Sequence, residues 1–292
     1  MTRLRDRATV AAYRTADVVA QRLPVPAGTF LARAGGRAAL HLMPGRRRMV
    51  ARHQRRVLGH DDPAAVRGAF ESYARYWLEM FRLPADVRRG EVDRHFSVDG
   101  LEHVEKGLAA GKGVIAALPH LGGWEHAAAW MAGRGHRMLA VVEPVEPPEL
   151  FEWFAHQRGL LGLDVVPLGP DTAREVALAL RANRVVCLLS DRDLSGDGVA
   201  VEFFGERTTL PAGPATLALR TGATLVPLAV YFRAGRDHHG VIRPPIPVER
   251  EGRLRDDIAR ITQLLAHEFE ALIRAAPEQW HLMQPNWPSD RE

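Results

Sequence analysis

Cysteine is nearly absent from this chain, and that removes several possibilities at once. Across 292 residues there is one, Cys187, so no internal disulfide framework can form. It lies in Val185-Val186-Cys187-Leu188-Leu189, an apolar setting that predicts a buried, inert thiol. Lysine is scarce too: Lys106 and Lys112 are the only two, and arginine carries the positive charge. No stretch approaches the roughly 18 unbroken apolar residues of a spanning helix, and no signal peptide is visible. A cytoplasmic address is expected, with attachment to a membrane surface open. Repeats and low-complexity tracts are missing. Gly107 to Gly113 has the wrong interval for a Walker-type phosphate loop and lacks its Ser or Thr. No G-x-S-x-G nucleophile elbow occurs. His120 and His126 stand six apart, which on one helix puts them on different faces, so the i, i+4 pair of a helical zinc site is not formed and no metal is expected.

What is present is uneven charge on an ordinary globular composition. Hydrophobic residues make up 46% and charged residues 25%, enough for a full core as one large domain or two modest ones. Residues 1–60 hold thirteen arginines against Asp6 and Asp17, a surplus of eleven; with +4 for the whole chain, the remainder is −7. A basic first fifth points to an anionic partner. Three helical runs, 8–22, 28–42 and 46–58, place arginine among apolar residues, as in helices that lie flat in a headgroup layer or pack with one face solvated. No helix-turn-helix spacing, zinc-finger pattern or aromatic RNA-binding strand accompanies the charge, so nucleic acid is not expected.

The most informative stretch runs from Gly113 to Glu125. An apolar strand-like run ends at Pro119; His120 follows, then Gly122 and Gly123, and an amphipathic run from Trp124 to Met131 reads as a helix. A titratable imidazole therefore sits at a strand-to-helix corner, where α/β sheets place their sites. Before it, 63–83 reads as a long helix with an aromatic face (Phe70, Tyr73, Tyr76, Trp77, Met80, Phe81), core or channel wall, and 100–110 as a short helix. After it, strands are expected at 138–142, 164–168, 184–190, 199–204, 224–232 and 240–246, with helices at 147–161, 171–181 (capped by Asp171), 211–221 and 254–273, and an ordered tail at 277–287. The alternation predicts an α/β fold: a mixed central β-sheet flanked by helices. We expect residues 1–62 to form basic, membrane-facing helices and 63–292 the core, integrated as one domain.

On residues alone, the chemistry that remains is a histidine acting as general base. His120 and Asp191 follow two different strands and could converge, the carboxylate fixing the imidazole tautomer and raising its basicity. Backbone N–H groups of Gly122 and Gly123 could meet a developing oxyanion. The runs "PHLGGWEHAAAW", "LLSDRDLSGDGVAVEFFGERTTLPAGPATLALRTGATLVPLAVYF" and "APEQWHLMQPNW" together closely resemble the bacterial lipid A biosynthesis acyltransferase family, over nearly the whole chain. Within it the chain looks most like the members that acylate phosphatidylinositol mannosides. The resemblance implies a glycerolipid-type acyltransferase fold on the cytoplasmic face of the inner membrane. It implies transfer of a fatty acyl chain from acyl-CoA, as co-substrate and with no cofactor, to a mannose hydroxyl. Position by position it gives His120 as the motif histidine, Glu125 as the acidic residue closing H-x4-[DE], and Asp191 as the acidic partner of the histidine. Arg158 and Glu143 match charged positions flanking the site; Arg158 and Arg192 could meet the CoA diphosphate, hold the carboxylates, or simply pair with nearby acids. An apolar groove for the chain is expected along the Phe70–Phe81 stripe and the Phe203–Phe204 strand. The other readings are the same fold acting on a lysophospholipid or another glycolipid, and a non-catalytic lipid-binding protein.

Overall fold

The structure, a computed structural model, describes residues 2–194 and 196–291, and among these are ten α-helices and nine strands. In chain order the elements are α1 (Thr2–Arg22), α2 (Val25–Leu42), α3 (Pro44–Leu58), α4 (Pro63–Arg88), β1 (Phe96–Asp99), α5 (Leu101–Ala109), β2 (Val114–Leu118) and α6 (Trp124–Gly133). Then follow β3 (Met138–Val142), α7 (Pro148–Gly159), β4 (Leu163–Pro167), α8 (Thr172–Arg181) and β5 (Val185–Leu189). The chain continues through β6 (Val199–Phe203), β7 (Glu206–Leu210), α9 (Gly213–Thr221), β8 (Thr224–Phe232), β9 (His238–Ile242) and α10 (Leu254–Arg274). Seven strands form one sheet in the order β1-β9-β8-β2-β5-β3-β4, and β6-β7 stand apart as a hairpin. All neighbours in the large sheet are parallel except β8 and β9, so the sheet is mixed and covered by helices, as the alternation predicts.

The period-two rule sets the layers. Ile115 and Ala117 of β2 face a core built with α8, α9 and α10, whereas Val114, Ala116 and Leu118 face one built with α5 and α6. Buried on both faces, β2 carries no polar residue, which is why it reads as an unbroken apolar run. Cys187 lies in the second core, its thiol pushed up to about 12, mainly by burial. Asp62 caps α4, accepting from the N–H groups of Ala64 and Ala65, and Pro63 occupies the first turn where its missing N–H costs nothing.

Several boundaries differ from expectation. Strands β1 and β7 were not anticipated, and β9 begins at His238 rather than at 240. Asp171 holds the cap position of α8 but its side chain caps nothing; the Thr172 hydroxyl instead accepts from Gly169 N. Among the described residues no helix is long and apolar enough to cross a membrane. Helices α1 and α2 pack on α4, and α3 is tied to residues near 290, where buried Asp290 accepts from His53 Nε2 and pairs with Arg56.

Candidate active site

The site follows from register. Strands β2 and β5 are adjacent and parallel with Leu118 opposite Leu189, so the residues two beyond each strand end, His120 and Asp191, emerge side by side at the same depth. Three donors converge on the Asp191 carboxylate. Oδ1 accepts from His120 Nδ1 at 2.5 Å; Oδ2 accepts from His120 N at 3.0 Å and Trp280 Nε1 at 2.8 Å. Burial alone would raise this carboxyl, but His120 and Trp280 outweigh it and hold the group below the usual aspartate range. With Nδ1 donating to Asp191, the lone pair of a neutral His120 ring is on Nε2. The Asp191 side chain is wholly buried, while that of His120 is 37% exposed and opens onto a cavity.

That cavity has a volume of about 870 Å³, at the upper end of roughly 300–1,000 Å³ for small-molecule sites. Its walls are largely apolar, with Trp77, Phe154, Val176, Leu188 and Leu217, while Arg181 and Arg220 are exposed at its lining. Of the expected groove, Tyr73, Tyr76 and Trp77 line it, but Phe70, Met80 and Phe81 are buried elsewhere; Pro211, Gly213 and Pro214 also line it. Phe203 and Phe204 do not: both are buried in the core against Trp280, and Phe203 also stacks on Trp287.

The other residues singled out from sequence fall into two ion pairs. Glu125 is buried in the first turn of α6, accepting from Tyr76 Oη at 2.8 Å and paired with Arg158 at 3.2 Å. Burial raises its carboxyl above the ordinary value despite Arg158 and Tyr76. Arg158 and Tyr76 line the cavity, and Glu125 stands behind them. Arg192 pairs with Glu143 at 2.9 Å on the cavity wall. The two glycines serve differently from expectation. Gly122 N donates to Gln279 O at 3.0 Å and Gly123 N to Val230 O at 3.1 Å, so both N–H groups are already engaged and are not free to meet an oxyanion. Gly122 has φ +60°, and a Cβ there would lie 1.8 Å from Val230 O, so the close passage of the turn over β8 is what demands glycine.

Sequence reading missed Trp280 and His281. The signal was a Trp-, His- and Pro-rich tail, but nothing in it says which strand end it returns to. His281 N donates to His120 O at 2.8 Å, and its ring lies within 2.9 Å of Ser72 Oγ. Its pKa is pushed down to about 3, first by burial and then by His120, with Asp191 opposing. An unfolded histidine takes its proton near 6.5. Between those values the unfolded chain binds more protons, so stability is expected to fall as pH drops below about 6.5. His126 acts in the same direction, its pKa lowered well below the ordinary value by burial. Melting temperatures measured from pH 8 to pH 4 test this; an unchanged value between pH 7 and pH 5 would contradict it.

At the carboxyl ends of two central strands, a carboxylate-held imidazole thus faces a mostly apolar cavity. The sequence model of the family described as "Bacterial lipid A biosynthesis acyltransferase" matches residues 5–289, and the chain belongs to that family. It is 42% identical over 246 residues to a phosphatidylinositol mannoside acyltransferase of Mycobacterium tuberculosis, covering 80% of this chain and 75% of the relative. A phosphatidylinositol mannoside acyltransferase of Mycolicibacterium smegmatis is 40% identical over 228 residues, covering 77% and 73%. A lipid A biosynthesis acyltransferase of Haemophilus influenzae is 28% identical over 192 residues, covering 62% and 55%.

Proposed function

We propose that this protein transfers a long fatty acyl chain from acyl-CoA to a mannose hydroxyl of a phosphatidylinositol mannoside, with His120 as general base. The observation that carries the reading is the His120–Asp191 pair opening onto the apolar cavity. The acceptor class comes from the relatives that match over three quarters of the chain. In the step proposed, His120 Nε2 takes the proton of the sugar hydroxyl as its oxygen attacks the thioester carbonyl. The tetrahedral intermediate collapses with cleavage of the C–S bond, and the proton passes from His120 to the departing sulfur, giving ester and free CoA. A thioester is already activated, so no covalent enzyme intermediate is needed. Asp191 holds the imidazole in the basic tautomer, and Glu125 fixes Arg158 and Tyr76 on the wall. Arg181 and Arg220 suit the phosphates of CoA, outside the apolar part.

A peripheral position on the cytoplasmic face of the inner membrane completes the reading. In its favour, α1–α3 carry most of the positive surplus and leave Phe30, Leu31, Leu42 and Met43 exposed. The decisive assay is CoA release from palmitoyl-CoA with and without a mannosylated phosphatidylinositol. Release that depends on the acceptor supports the proposal; none, or equal release on a lysophospholipid, refutes the acceptor assignment. A separate expectation concerns the cavity: palmitoyl-CoA raises the melting temperature by several degrees and acetyl-CoA does not. Equal shifts would count against an acyl-chain pocket.

A further inference from the structure

His126 was set aside as a partner for His120, yet it meets a second histidine from elsewhere in the chain. Glu79 on α4, His126 on α6 and His238 on β9 each bring one potential ligand atom within 4.8 Å of the other two. None of the three lines the large cavity. The imidazoles of His126 and His238 are stacked, ring centres 3.6 Å apart and planes 19° apart. His238 Nε2 lies 2.7 Å from Glu79 Oε2. The other Glu79 oxygen accepts from Arg75 Nε at 2.6 Å, an outer contact that orients the carboxylate towards the rings.

One polar requirement is unmet: His238 Nδ1 is buried with no hydrogen-bond partner. A buried imidazole nitrogen left without a partner is destabilising. Neutral imidazole is the form that binds metals. Beside the three ligands lies a void of about 30 Å³, lined also by Arg82, Asp86 and Arg236, which leaves a position for one water.

The surrounding charges decide which cation fits. Glu79, Asp86 and Glu91 are matched by Arg75, Arg82 and Arg236, with Arg236 bound to Asp86 at 2.8 Å and Glu91 at 2.6 Å. The shell is neutral, so a hard cation held by charge alone gains nothing here. An ion that bonds to imidazole nitrogen does. We propose that Glu79, His126 and His238 bind one divalent transition-metal ion of the zinc type, with water in the fourth position. The ion ties α4, α6 and β9 together. Glu125 precedes His126 on α6, and Tyr76, one turn before Glu79 on α4, holds Glu125, so the metal braces the helix that follows the His120 turn. Its role is positional.

The test uses the untagged full chain, stripped with a chelator and titrated with Co²⁺, Zn²⁺ and Mg²⁺. Expected are one Co²⁺ per chain with visible d–d absorption, displacement by Zn²⁺, a raised melting temperature with either ion, and no response to Mg²⁺. His126→Ala should abolish the cobalt spectrum. Glu79→Gln, which keeps shape and removes charge, should weaken binding by about 10-fold or more whether or not the histidine variant folds well. His120→Ala should leave the stoichiometry at one. No stoichiometric ion in the unaltered chain, or a cobalt spectrum unchanged in His126→Ala or Glu79→Gln, overturns the proposal.

Discussion

His120→Ala is expected to lower the rate of acyl transfer by about 10²–10⁴-fold, the usual worth of a positioned general base. The chain should remain folded, because the backbone bonds of residue 120 do not involve the ring: its N–H donates to Asp191 and its carbonyl accepts from His281. What the substitution removes is one donor to a buried carboxylate, a cost of about 1–3 kcal/mol that lowers the melting temperature without abolishing the native state. Binding of palmitoyl-CoA should survive, since the apolar walls are untouched. The measurement is therefore a pair: turnover, and the thermal shift with palmitoyl-CoA. Turnover within a few-fold of the parent, in a variant that still binds the thioester, removes His120 from the chemistry.

Asp191→Asn should cost a similar factor, about 10²–10⁴-fold in kcat, for a different reason. The carboxylate accepts on both oxygens and is fully buried. An amide has one oxygen, and it must face the two donors, His120 N and Trp280 Nε1, that share Oδ2. The NH2 group is then turned towards His120 Nδ1, which has to accept instead of donate. The ring proton moves to Nε2, and the nitrogen facing the cavity can no longer take a proton. KM for acyl-CoA should change little because no cavity wall is altered. A variant with normal kcat shows that the tautomer is not set by Asp191.

Legibility of the sequence divided along physical lines. Strand β2 and the turn after it stood out because burial on both faces forces an unbroken apolar run, and the glycine at 122 has no substitute where the backbone passes Val230. Strand β7 hid because four of its five residues, Glu206 to Thr209, are polar, and its turn lacks the usual Asn-Gly. Both turn residues, Phe204 and Gly205, have positive φ (52° and 74°), a geometry that a bulky aromatic seldom announces. Strand β1 is four residues long and offers too little periodicity to detect. At the site, His120 and Asp191 stood out because each follows a strand, and the family resemblance singled out Glu125. Their partners Tyr76 and Trp280 lie 49 and 89 positions from the residues they hold, and local pattern carries no record of such pairings. The same distance concealed His238, which meets Glu79 across 159 positions.

Trp280 has a consequence for how this molecule comes into being. Histidine and aspartate emerge from the ribosome early and can pair as soon as β2 and β5 dock, yet the indole that steadies the carboxylate is made 89 residues after Asp191. A nascent chain that stops short of Trp280 can form the sheet and still leave the Asp191 carboxylate without its indole donor.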